Sequence, residues 1–307
     1  MNTLRQELAN YLGLRRSLGY RLQRTEKLLN QFLDYLDQND ASRVTSELAL
    51  EWAQLPSAAD PVWWAARLGV VRGFAKYLHA FDDAHEVPAA DVLPWKTHRA
   101  NPFLYTDAEI AALIQAASTL RFPLRVATYQ LLIGLLAVTG MRVGEAISLD
   151  IDDFDADHSV LLIRRGKGGA ARQLPLQPSA TTAVRDYLLR PDRRSTARDT
   201  TVLISPAGTR LLYCNVQRTF QKLVHQAGIR PRSESCRPRI HDLRHSFAVT
   251  SLLQAYTADL NIERRLTLLA TYLGHRSPAG TYWYLSAAPE LLAAALERLD
   301  HKGDDRP

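Results

Sequence analysis

Residues 240–250 read "IHDLRHSFAVT". His241, Arg244 and His245 stand at i, i+3 and i+4, a spacing that puts all three on one face of a helix. Histidines four apart on a helix can chelate zinc, and Cys236 lies close by in sequence. Two features weigh against that chemistry. Arg244 directs a permanent cation to the same face, and no glutamate stands where an H-E-x-x-H site needs its base. A packed, structural histidine pair is the plainer alternative. A histidine beside an arginine suits an anion better than either, because both donate hydrogen bonds to phosphate oxygens.

Three further stretches carry residues of the same kind. In "TGMRVGEAISL" (139–149), Arg142 follows a glycine that stops the apolar helix "RVATYQLLIGLLAVTG", and Glu145 three residues on can hold its guanidinium. Taken alone, this is an ordinary surface Arg–Glu pair on a short helix. In "RRGKGGAARQLPL" (164–176), Lys167 sits between two glycines at the tip of an expected β-hairpin. "GKGG" lacks the GxxxxGK[ST] arrangement and opens no helix, so it is not a nucleotide P-loop. In "TYLGHRSPAGTYWYLS" (271–286), Gly274 ends one helix, Ser277 and Pro278 start another, and His275 occupies the corner. Tyr282 and Tyr284 are two apart, about 200° around a helix, so they face opposite ways. One can pack while the other meets His275.

The rest of the chain sets the frame. Residues 1–100 hold 12 Lys/Arg and 12 Asp/Glu, so the net charge of +6 falls in the remainder, and a basic balance is compatible with a polyanionic partner. The longest uncharged stretch, Val126 to Met141, is too short and too polar for a membrane span. No signal peptide is expected at the N-terminus. Two cysteines, Cys214 and Cys236, make no disulfide framework and fit a reducing cytosol. Apolar residues three and four apart predict helices through residues 1–90. Between residues 15 and 27, Arg15, Arg16, Arg21, Arg24 and Lys27 are opposed only by Glu26: a solvated face, or a strip lying along phosphates. "DVLPWKTHRANPFLYT" (91–106) breaks the pattern with two prolines and reads as a linker. "TDAE" (106–109) then opens a helix with a capping box, and further helices are expected at 178–190, 213–227, 240–254, 258–273, 277–285 and 289–299.

In order and content the four stretches resemble the tyrosine recombinase (phage integrase) family of DNA breaking and joining enzymes, over about residues 105–300. The resemblance implies a mainly α fold with a small antiparallel β-sheet, arranged as a two-domain clamp. A helical core-binding domain would span 1–95, a linker 96–104 and a catalytic domain 105–307. It implies a catalytic set of Arg142, Lys167, His241, Arg244 and His275, with Glu145 in support. The nucleophile of the last motif stands nine positions after the LGH histidine, which is Tyr284, leaving Tyr272 and Tyr282 to pack. "SPAGTYWYL" departs from the Ser/Thr-rich connector common in the family and is more similar to transposon-borne members.

The implied reaction is site-specific recombination through a 3′-phosphotyrosyl intermediate, with neither a metal nor another cofactor. The implied partner is double-stranded DNA, bound by a monomer or weak dimer that becomes a tetramer on paired sites, with a sister recombinase as an optional partner and no membrane. The implied location is the cytoplasm, at the nucleoid. Two relatives of the reading share the residues: a DNA-binding regulator of the same fold without catalysis, and a type IB topoisomerase. A zinc hydrolase is a more distant alternative.

Overall fold

The computed structural model describes residues 3–20, 22–94, 101–164, 171–194, 200–258 and 261–274. Lys167, Arg21, His275, Tyr282, Tyr284 and the helices expected at 277–285 and 289–299 lie outside them. The chain divides into two compact units, Met1–Arg99 and Ala100–Pro307.

The first unit is helical. Its described helices are α1 (Thr3–Ser17), α2 (Gln23–Gln38), α3 (Ser46–Gln54) and α4 (Pro61–His79). Caps written in the sequence fix two of the starts. The Thr45 side chain accepts the Leu48 N–H before α3, and Asp60 accepts the Val62 N–H before α4, whose first residue is Pro61. On α2, Leu29, Phe32, Leu33 and Leu36 follow the three-four spacing and are fully buried, meeting Trp52 of α3 and Leu68, Val71 and Phe74 of α4.

The second unit is mainly α with a three-stranded antiparallel sheet. It runs α5 (Asp107–Ala116), α6 (Pro123–Thr139), α7 (Val143–Ala146), β1 (Phe154–Asp155), β2 (Val160–Ile163), β3 (Arg172–Pro175), α8 (Pro178–Leu188), α9 (Tyr213–Gln226), α10 (Asp242–Thr257) and α11 (Ile262–Leu273). The expected capping box is present: Glu109 accepts the Thr106 N–H at 2.8 Å and Thr106 accepts the Glu109 N–H at 3.2 Å. Apolar nearly all round, α6 packs against α5, α8 and α10 and forms the middle of the core. The hairpin pairs β2 with β3 in a register that sets Leu161 opposite Leu174, both fully buried. Strand β1 adds a two-residue edge for which the sequence analysis had no signal.

Two details differ from the sequence expectation. Phe103, assigned to the linker, is fully buried in the core of the second unit, stacked obliquely on Tyr105 at 4.8 Å. And α10 begins at Asp242, so His241 is its N-cap residue and not part of the helix body.

Gly140 ends α6 in a left-handed conformation at φ 59°, where a side chain is strained. A Cβ there would also fall 2.4 Å from Cδ1 of Phe247, on α10. Gly140→Ala is therefore expected to destabilise the chain by about 2–4 kcal/mol, backbone strain and overpacking together. Gly134→Ala, within α6 and with nothing within 4 Å of the added carbon, is expected to be neutral or to stabilise by about 0.5–1 kcal/mol. Thermal denaturation of the two variants checks this.

Candidate active site

A helix leaves its last carbonyls without intrahelical partners, and they carry the negative end of its dipole. At the end of α11, Gly274 turns left-handed at φ 66° and the carbonyls of Tyr272, Leu273 and Gly274 meet three arginines from three other elements. Arg244, from the first turn of α10, donates to Leu273 O at 2.6 Å and to Gly140 O at 2.8 Å. It thus ties the end of α11 to the end of α6, and only 2% of it is exposed. Arg142, at the N-cap of α7, donates to Leu273 O at 3.5 Å and Gly274 O at 3.3 Å. Arg172, at the start of β3, donates through Nε to Tyr272 O at 2.8 Å.

Glu145 joins two of these arginines. Its Oε1 accepts from Nη1 of Arg142 at 2.9 Å and Nη1 of Arg172 at 3.1 Å. Its Oε2 accepts from the backbone N–H of Arg142 at 3.0 Å and Nη2 of Arg172 at 2.7 Å. Four donors on one carboxylate use its full accepting capacity. The Glu145 side chain is 4% exposed, so this is a buried network and not the surface pair that the local sequence suggested. Burial is the largest influence and pushes the Glu145 carboxyl up, but the hydrogen bonds and charges of Arg172 and Arg142 together outweigh it and hold the group below the usual carboxylate range.

His241 is exposed at the mouth of α10, and its ring meets that of His245 edge-on at 5.0 Å. Between them in sequence, Asp242 is fully buried. It accepts Nε and Nη2 of Arg239, each at 3.0 Å, and the Arg239 N–H at 3.0 Å. Burial nonetheless raises the Asp242 carboxyl above its ordinary value. The clamp of Arg239 on Asp242 locks the first turn of α10, which carries His241 and Arg244. Tyr272 stacks on Phe247 at 5.6 Å, and burial raises its phenol, which disfavours the phenolate a nucleophile needs.

The structure therefore brings Arg142, Glu145 and Arg244 together at the end of α11, with His241 three residues before Arg244. His275 is the next residue in sequence and lies outside the described residues. Among the described residues, no three His, Cys, Asp or Glu side chains are grouped as metal ligands. The basic set of the first unit is partly engaged: Arg15 lies over Tyr20 at 4.3 Å, Arg24 over Trp63 at 4.4 Å, and Arg16 pairs with Glu26 at 2.5 Å, while Lys27 is exposed. Arg172, Arg239 and Asp242 were missed as site residues by the sequence analysis. The available signal for Arg172 was its place on the same alternating face of β3 as the buried Leu174.

Comparison with known proteins decides the family. The phage integrase family model matches residues 104–290. The chain belongs to the phage integrase family of tyrosine recombinases. It is 42% identical, over the whole of both chains, to a protein of Sinorhizobium fredii (strain NBRC 101917 / NGR234) carrying the name integrase/recombinase y4rB. It is 34% identical to a tyrosine recombinase XerC of Alcanivorax borkumensis, over 71% of this chain and 66% of that one. Among solved structures it resembles the Tn1549 transposon integrase in complex with transposon right end DNA, with a TM-score of 0.62 at 17% identity over 98% of this chain and 100% of the other.

Replacing Glu145 by Gln leaves two guanidiniums facing each other without their shared anion, which is expected to cost about 3 kcal/mol at pH 7. Because the folded carboxyl lies below its unfolded value of about 4.3, its contribution is present above that pH and is lost as pH falls through the folded value. The gap between wild type and Glu145→Gln in urea unfolding is therefore expected to narrow toward acid; a gap that widens there contradicts the depressed carboxyl.

Proposed function

We propose that this recombinase cleaves and rejoins DNA strands with Tyr284 as nucleophile. The observation that carries the reading is that Arg142 and Arg244, far apart in sequence, both donate to the Leu273 carbonyl, two residues before His275. Two guanidiniums aimed at one oxygen, beside the motif that bears the tyrosine, are placed to take the nonbridging oxygens of a phosphate. Tyr284 attacks the scissile phosphorus, a 3′-phosphotyrosyl bond forms, and a 5′-hydroxyl leaves. That hydroxyl later attacks the linkage on the partner strand, so phosphodiester energy is conserved and no ATP is needed.

Each residue then has a task. Arg142 and Arg244 offset charge that grows on the phosphoryl oxygens, a kind of donor whose removal costs about 3–4 kcal/mol. His241 and His275 share the Tyr284 proton, which a phenol of ordinary pKa about 10 does not give up unaided at pH 7. Lys167 protonates the leaving 5′-oxygen, whose conjugate acid is nearly as weak as water. Double-stranded DNA is the substrate. The first unit serves as core-binding domain, with Arg15, Arg16, Arg21, Arg24 and Lys27 toward the backbone, and four protomers assemble on paired sites, alone or with a sister recombinase. The departure at "SPAGTYWYL" and the likeness to a transposon integrase favour a mobile-element role in the cytoplasm.

Tyr284→Phe is expected to bind site DNA and form no covalent adduct on a nicked suicide substrate, whereas Tyr282→Phe still forms it. An adduct retained by Tyr284→Phe removes the assignment.

A further inference from the structure

Arg172 is the arginine that the proposed chemistry does not use, yet all three of its guanidinium nitrogens are engaged. It grips Glu145 with two prongs, Nη1 to Oε1 at 3.1 Å and Nη2 to Oε2 at 2.7 Å, and its Nε holds Tyr272 O at 2.8 Å. This planar, two-pronged fit is one that only arginine makes to a carboxylate. Its seat is close: a Cβ on Gly274 would lie 3.0 Å from Nη1 and 3.2 Å from Cζ. Its side chain is 11% exposed, against 21% for that of Arg142. Arg172 thus faces inward, while Arg142 retains access to solvent.

We propose that Arg172 is a positioning residue for Arg142: by occupying both oxygens of Glu145, it leaves Arg142 tethered but not neutralised. The role rests on the cleavage reading above. With Arg172 in place, two guanidiniums share one carboxylate, and a surplus positive charge remains for a phosphate at Arg142. Without it, the buried carboxylate has Arg142 as its remaining guanidinium partner. A low-dielectric pair of that kind draws the two groups into a closed, one-to-one contact. Arg142 then turns toward Glu145, leaves the Leu273 and Gly274 carbonyls, and loses much of its pull on the reacting phosphoryl group. The loss falls on the chemical step, because DNA affinity is spread over many backbone contacts while the reacting phosphate depends on this one.

The test uses the full chain and a nicked duplex selected from a random pool for binding by the wild type. Affinity is measured by titration, and adduct formation is followed in a single turnover. Arg172→Gln is expected to bind with affinity near that of the wild type and to cleave about tenfold to a hundredfold slower, the scale of a misplaced catalytic group. Arg172→Lys keeps a cation against Glu145 without the two-pronged fit and is expected to fall between them. The double variant Arg172→Gln/Glu145→Gln removes the charge that captures Arg142, so it is expected to cleave faster than Arg172→Gln alone.

A purely structural arginine predicts the reverse order, since the double variant loses more contacts than the single one. A double variant as slow as Arg172→Gln or slower, or a loss of affinity that accounts for the loss of rate, overturns the proposal, as does a wild-type rate in Arg172→Gln. If Arg172→Gln does not fold by circular dichroism, Arg172→Lys decides: slower cleavage at unchanged affinity supports the role, and any other result contradicts it. A wild-type chain that binds the duplex and forms no adduct overturns the cleavage reading itself, and this role with it.

Discussion

Much of the second unit is arranged around the last carbonyls of α11. Arginines from α7, β3 and α10 converge on them, with Gly140 and Gly274 supplying the left-handed turns that let helix ends approach this closely. Three cations at one helix end would repel if the helix were absent; its dipole and the Glu145 carboxylate hold them. The arrangement still holds more positive than negative charge among these groups. That balance of charge is what the proposed phosphate substrate calls for, since an anion would complete it.

The same network explains why the arginines are rigid. Arg244 is buried against two backbone carbonyls, Arg142 is fixed by Glu145, and Glu145 is fixed in turn by Arg172. Donors that do not have to reorganise as charge develops are worth more than mobile ones. The clamp of Arg239 on Asp242 does the equivalent for the start of α10, from which His241 and Arg244 project.

Where local chemistry decides the outcome, the sequence was legible. The Thr106–Glu109 capping box, the Gly140 and Gly274 stops and the β2–β3 hairpin all rest on neighbours a few residues apart, and each is present. The HxxR spacing on a helix start and the Arg142–Glu145 pair were also readable. Partners distant in sequence were not. Glu145 looked like half of a surface pair because Arg172, 27 residues away, is what seals it into the interior. Phe103 was hidden by the preceding Pro94 and Pro102, which suggest a linker, although its ring belongs to the core. Strand β1 is two residues long, too short for any alternation to register.

The central claim, that this arginine cluster serves a tyrosine one motif further on, is tested most directly on the trapped protein–DNA adduct. Trypsin digestion leaves residues 277–298 as one peptide, holding Tyr282 and Tyr284 together. Fragmentation of the nucleotide-bearing peptide by mass spectrometry then separates the two. The account predicts the nucleotide on Tyr284; nucleotide on Tyr282 or elsewhere, or cleaved DNA with no protein attached, would contradict it.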